Sequence, residues 1–289
     1  MSDFHIPIAD LTIIKRTEFP RWRTDNLLSS RYFWWKLLVG DEIILYIPTI
    51  GCFHLFAGKH VDYILEESAD PLQTKAAAMG LIYSLLIYQR GELPLHGAGV
   101  IPASEAKALI ICGGVGAGKS TTATALTLNN WPLIEDDVCR LSINKNRVLP
   151  LLIHRGLTTI KLTYDACERL NIPSHDLDNM MTTQEKLFFN PPLIGPNECV
   201  PSNIIVLYRT AEAANMEWAR CSGDVARTIF KRNLYRVNMG RCILGQRKIT
   251  DLANEIVELF ETYVLFAPEL ASPKDIASEL ERFTREIKL

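Results

Sequence analysis

Gly113-Gly114-Val115-Gly116-Ala117-Gly118-Lys119-Ser120 matches the pattern G-x-x-x-x-G-K-[ST] at every fixed position, and the rest of the chain is best read outward from it. Four glycines let the backbone wrap closely enough for its N–H groups to converge on phosphate oxygens. Lys119 supplies a mobile positive charge for the β- and γ-phosphates, and the Ser120 hydroxyl is a ligand for Mg²⁺. Thr121 continues into a helix whose positive end faces the same anion. The flanks give the context that the pattern requires. Ala108-Leu109-Ile110-Ile111-Cys112 is an apolar run of strand length that ends on the first glycine. Ser120 to Leu128 is rich in Thr, Ala and Leu and stops at Asn129-Asn130, as a short helix and its cap do. A strand, a glycine loop and a helix in this order predict an α/β protein that holds a nucleotide triphosphate.

Composition narrows the class. With 289 residues the chain is long enough for one large domain or two modest ones. A formal net charge of −2 with basic residues spread along the chain gives no nucleic-acid footprint. Seven cysteines, an odd number without C-x-x-C pairing, argue for free thiols and against a disulfide frame or a zinc site. Met1-Ser2-Asp3-Phe4-His5 does not open a signal peptide, and the longest apolar segment, Ala76 to Tyr88, is too short to span a bilayer. A cytoplasmic protein with no membrane or nucleic-acid partner is the expectation.

The first seventy residues read as strands and turns. Ile43 to Ile47 is β-branched and aromatic and is broken by Pro48. Cys52 to Phe56 and His60 to Ile64, joined by Ala57-Gly58-Lys59, read as a hairpin. Trp34 and Trp35, neighbours in a strand, face opposite sides, so one is expected in the core. From Pro71 to Arg90 the pattern turns helical. Thr158 to Leu162 and Asn203 to Tyr208 are strand candidates. Leu252 to Phe266 and Pro273 to Ile287 are expected as amphipathic helices. Residues 171–201, with five prolines, are expected as a long mobile region. The domain expectation is therefore a β-rich segment over 1–70 and a nucleotide-binding domain over 71–289.

Asp136 and Asp137 follow the loop helix at the end of the short apolar run Leu133-Ile134, a position at the C-terminal edge of a strand where α/β ligands bind. Two neighbouring carboxylates near a triphosphate divide the labour: one holds Mg²⁺ and the other accepts the proton of an attacking hydroxyl. Glu135 reads as their flank. Phosphoryl transfer also calls for a cation on the migrating group, and Arg232 is the arginine chosen for it from the C-terminal half.

His96-Gly97, the glycine loop and the Asp136-Asp137 pair, in this order and spacing, resemble the catalytic core of the HPr kinase/phosphorylase family. They are more similar still to the small HPr-kinase-like proteins, some of which phosphorylate serine in peptides or small metabolites. Arg90-Gly91 ahead of Leu93-Pro94-Leu95-His96 belongs to the same resemblance, which covers Gln89 to Leu141 and extends weakly to Leu234-Tyr235-Arg236. It implies a P-loop core of the HPr kinase/phosphoenolpyruvate carboxykinase type behind an N-terminal β-rich domain. It also implies that Gly113 to Thr121 bind the ATP phosphates, with Asp136 as catalytic base. Asp137 and Ser120 would then lie at Mg²⁺, and His96 beside the loop. The glycine-rich C-terminal signature of the bifunctional enzymes has no equivalent around Met239-Gly240-Arg241 or Leu244-Gly245-Gln246-Arg247, so neither the reverse reaction nor HPr as substrate is implied.

The functional expectation is an ATP-dependent kinase acting on a hydroxyl, with a serine of a peptide or small protein as acceptor. Two alternatives stay open: a kinase of a small hydroxyl metabolite such as free serine, and a nucleotide-binding regulatory module without transfer. A GTPase is disfavoured because Asn144-Lys145-Asn146-Arg147 lacks the final aspartate of a guanine-reading N-K-x-D, and no D-x-x-G follows the loop.

Overall fold

The structure is a computed structural model and describes residues 5–17, 28–29, 33–38, 42–103, 105–173, 177–178 and 186–287. Mixed α/β architecture is built on four sheets. The chain divides into two units, residues 1–92 with 236–249, and residues 93–235 with 250–289. This division assigns 71–92 and a C-terminal excursion to the first unit, whereas the sequence reading placed a boundary at residue 70.

In the first unit a six-stranded sheet runs in the order Thr12–Lys15, His60–Leu65, Gly51–Phe56, Ile43–Ile47, Trp34–Leu37, Leu28–Ser29. The expected hairpin is present, with Phe53 opposite Tyr63 and Leu55 opposite Val61. Its turn uses left-handed backbone at Ala57 and Gly58. Trp35 is buried; the side chain of Trp34, like Tyr32, lies outside the described residues. Asp70 starts the following helix by accepting a hydrogen bond from the Gln73 N–H at 2.8 Å, and Pro71 fits the first helical position. Pro71–Ala77 and Tyr83–Gln89 are joined by a π-helical turn at Ala78–Ile82. Tyr83, Leu85, Leu86, Ile87 and Tyr88 are wholly buried, which accounts for the apolar run that is too short for a membrane. No helix among the described residues is long and apolar enough to cross one.

The second unit holds the glycine loop. Its six-stranded sheet runs Leu133–Asp136, Gly97–Val100, Ala108–Gly113, Pro201–Thr210, Glu261–Pro268, Glu217–Cys221. Ala108–Gly113, Pro201–Thr210 and Glu261–Pro268 are mutually parallel, so their C-terminal ends open on one edge. The helices Lys119–Leu128, Tyr164–Leu170 and Pro273–Ile287 close one face through a core that includes Leu126, Ile205, Leu265, Ile276 and Leu280. A four-stranded sheet joins Leu93–Leu95 to Cys139–Ile143, and a three-stranded one joins Ile160–Thr163, Lys186–Phe189 and Leu177–Asp178.

Two expectations are corrected here. The helix begun at Gln246 ends at Val257, and Glu261–Pro268 is a strand, not a continuation to Phe266. Tyr263-Val264-Leu265-Phe266 is β-branched and aromatic, and its burial alternates along the strand, so a place within the sheet overrides the helical periodicity. The stretch 171–201 contains the strand Lys186–Phe189, whose Leu187, Phe188 and Phe189 are buried. Within that stretch, residues 174–176 and 179–185 lie outside the described ones.

Candidate active site around the glycine loop

The strand Ala108–Gly113 delivers the chain into the loop, and the helix Lys119–Leu128 receives it. Gly113 has φ 147°, and a Cβ there would approach the Leu207 carbonyl oxygen to 2.7 Å. Gly118, with φ 92°, is the left-handed residue that turns the loop into the helix. Val115 projects at the tip, 96% exposed. Lys119 is buried, and its Nζ donates to the carbonyls of Gly113 (3.0 Å) and Gly114 (3.1 Å). Burial lowers its pKa. Ser120 and Thr121 stand in the first helical turn, where N–H groups have no partner within the helix.

Asp136 closes the strand Leu133–Asp136, which pairs with Gly97–Val100. It is 2% exposed and accepts a hydrogen bond from Ser120 Oγ at 3.0 Å. Burial, reinforced by the charge of Asp137, pushes its carboxyl up to about 7 against the pull of Ser120 and Lys161. Asp137 follows in a left-handed conformation, φ 80°. Its Oδ2 lies 3.3 Å from Lys161 Nζ and its Oδ1 3.7 Å from His96 Nε2. Burial works to raise the Asp137 pKa, but Lys161, His96 and Lys186 together prevail and hold it below the usual aspartate value. Adjacent carboxylates thus sit in opposite electrostatic settings.

Glu135 points away from this pair. It is fully buried, its Oε1 accepts the Leu157 N–H at 2.7 Å, and its Oε2 has no hydrogen-bond partner among the described residues. Burial raises its pKa well above the usual glutamate value, and its hydrogen bond ties the strand to the Gly156-Leu157 segment.

His96 is set by the backbone on both sides. Its N–H donates to the Asn233 carbonyl at 2.7 Å, and its ring meets Tyr235 edge-on at 5.6 Å. Tyr235 N–H in turn donates to the Pro94 carbonyl, so the residues after the helix Gly223–Arg232 are stitched to Leu93–Leu95. Asn233 Oδ1 accepts the Gly113 N–H at 3.3 Å while its Nδ2 donates to the Ile229 carbonyl.

The structure therefore brings together Gly113 to Thr121, Asp136, Asp137 and His96, all expected from sequence. Arg232 is exposed at the helix end, and it is the neighbouring Asn233 that makes the loop contact. Ser120, expected with Asp137 at Mg²⁺, donates its hydroxyl to Asp136. Three cationic residues were missed. Lys161 holds Asp137, and Lys186 acts electrostatically on both Lys119 and Asp137. Arg209, at the end of Pro201–Thr210, donates from Nε to the Ala117 carbonyl (3.2 Å) and from Nη1 to the Glu269 carbonyl (3.0 Å), bracing the loop. A cation at the C-terminal end of a parallel strand beside the loop was the one available signal for Arg209.

A stability prediction follows from Asp136. Its folded pKa lies above its unfolded value of about 3.8, so the fold favours the protonated form and loses that advantage as pH rises from about 4 to 7. Asp136→Asn, which keeps an acceptor for Ser120, is expected to raise the Tm of the nucleotide-free protein by a few degrees at pH 8. The gain should shrink as pH falls toward 4; a thermal melt showing no pH-dependent difference from the parent would refute it.

No family model matches this chain, and no curated protein matches it. Among solved structures it is similar to that of the Hpr(Ser) kinase/phosphatase from Coxiella burnetii, at 12% identity and a TM-score of 0.36. The match covers 68% of this chain and 95% of that one. Likeness at that level carries no argument about activity, which has to be argued from the site.

Proposed function

We propose that this protein is an ATP-dependent kinase that transfers the γ-phosphate to a hydroxyl, with a serine of a peptide or small protein as the acceptor. One observation carries the reading: a glycine loop with a buried lysine faces two adjacent carboxylates, one bonded to the loop's serine and the other held by Lys161. A nucleotide-binding module without chemistry has use for the first carboxylate only.

The donor set suits Mg²⁺, a hard ion that takes one or two carboxylates and completes its shell with water and phosphate oxygens. Ser120 and Asp136 would hold it, and when bound it would neutralise charge on the β- and γ-phosphates. Asp137, with a side chain 25% exposed, is then the carboxylate open to an acceptor. In the transfer the acceptor oxygen bonds to the γ-phosphorus, the bond from that phosphorus to the β-phosphate oxygen breaks, and ADP leaves. The hydroxyl proton passes to the Asp137 carboxylate, which Lys161 and His96 keep ionised and oriented. This divides the aspartates the other way from the resemblance, on the strength of the Ser120 contact.

The test is transfer from γ-labelled ATP with Mg²⁺ to serine-containing peptides, to free serine and to a host lysate. An acid-stable labelled acceptor is the expected product. Label on free serine alone would replace the peptide reading with the metabolite one. Tight ATP binding with no labelled product from any source would leave a nucleotide-binding module and overturn the kinase.

A further inference from the structure

The three-stranded sheet has one apolar face and one of mixed character that carries two lysines. Cross-strand partners point to the same side, and here Leu162 pairs with Leu187 and Ile160 with Phe189, all four in the core under the loop helix. The opposite face carries Lys161 paired with Phe188 and Thr163 paired with Lys186, with Asp178 on the far side of Phe188 in the register. Lys161 and Lys186 are thus diagonal neighbours, a relation that spans roughly 7 to 8 Å between strands. Lys161 reaches Asp137 at 3.3 Å, so the face on which Lys186 stands is the face turned to the aspartate pair.

Lys186 interacts favourably with Asp137 and unfavourably with the loop's Lys119. Two ammonium groups brought toward one space cost free energy until an anion lies between them. A triphosphate on the loop is such an anion. Lys119 belongs to the loop itself, where such a lysine reaches the β- and γ-phosphates, and Asp137 is where the acceptor would arrive. The group common to both is the terminal phosphate.

We propose that Lys186 is the cation that holds the terminal phosphate of the bound nucleotide, with Lys161 on the same sheet face positioning Asp137. This rests on the kinase reading for its ligand and replaces Arg232 in the role expected from sequence. Lys186 adds a contact that depends on the third phosphate, whereas the backbone N–H groups of the loop hold phosphates that ATP and ADP share.

The experiment compares Kd for Mg·ATP and Mg·ADP by calorimetry in the parent, Lys186→Met, Lys186→Gln and Lys186→Arg, with thermal melts to confirm folding. The parent should prefer ATP. Lys186→Met and Lys186→Gln should lose about tenfold of that preference by weakening ATP while ADP affinity holds, as expected for one charge-assisted contact. Lys186→Arg should retain most of it. Equal weakening of both nucleotides, or no change in either, would overturn the assignment while leaving nucleotide binding intact. A parent that binds neither nucleotide would overturn this inference and the kinase reading together.

Discussion

Lys119→Ala is expected to raise the Kd for Mg·ATP by roughly 100- to 1,000-fold while leaving the fold intact. The ammonium is already buried, and its two hydrogen bonds go to the Gly113 and Gly114 carbonyls of the loop it belongs to. Burial lowers its pKa, so the charged form is held where hydration is reduced. Phosphate oxygens arriving on the loop would replace two neutral acceptors with charged ones. Each charge-assisted bond contributes about 1.5 to 3 kcal/mol, and two of them near the lower end, about 3 to 4 kcal/mol together, convert to the stated range of affinity. Stability should move little, because removing the side chain also removes a buried charge whose acceptors are two neutral loop carbonyls. Calorimetric titration of nucleotide into the parent and variant reads the first effect, and a thermal melt reads the second. A Kd within threefold of the parent would mean that the loop does not bind phosphate, and the functional proposal would fall with it.

How far the site was legible from sequence depends on the range over which its parts communicate. The loop is local: its glycines, Lys119 and Ser120 lie within eight consecutive residues, and the flanking strand and helix are continuous with it. The aspartates were legible because one short helix and one strand carry the chain back to the same sheet edge. Lys161, Lys186 and Asn233 were not. Each sits in an unremarkable stretch and reaches the site only through long-range pairing: Lys186 through its register with Thr163, Asn233 through the Leu95–Leu234 bridge. Nothing local distinguishes Lys186 from a solvated surface lysine. The Asp136–Ser120 bond is a further case, since choosing between two adjacent aspartates depends on backbone direction, and the left-handed φ of Asp137 sends it away from Ser120. The strand Glu261–Pro268 was misread as helix because the apolar spacing of its sequence suits both periods, and only its place in the sheet decides.

The two aspartate variants separate the roles directly. Asp137→Asn should cut transfer by about 10² to 10⁴, the usual contribution of a general base, with Mg·ATP affinity held within a few-fold of the parent. Binding survives because Asp137 does not touch the loop; its partners are Lys161 and His96. Asp136→Asn should behave differently. It keeps a neutral acceptor for Ser120 but withdraws the charge that would face the metal, so the concentration of Mg²⁺ needed for half-maximal nucleotide binding should rise and affinity for Mg·ATP should fall with it. Lost transfer would then track lost binding, whereas Asp137→Asn loses chemistry alone. Single-turnover transfer at saturating nucleotide, run beside a Mg²⁺ titration of binding, gives both quantities for each variant. The opposite pattern, with Asp136→Asn binding normally and failing to transfer, would restore Asp136 as the base. Its elevated pKa near 7 would then be the property that fits it to take a proton, and the Ser120 bond would be a feature of the nucleotide-free protein.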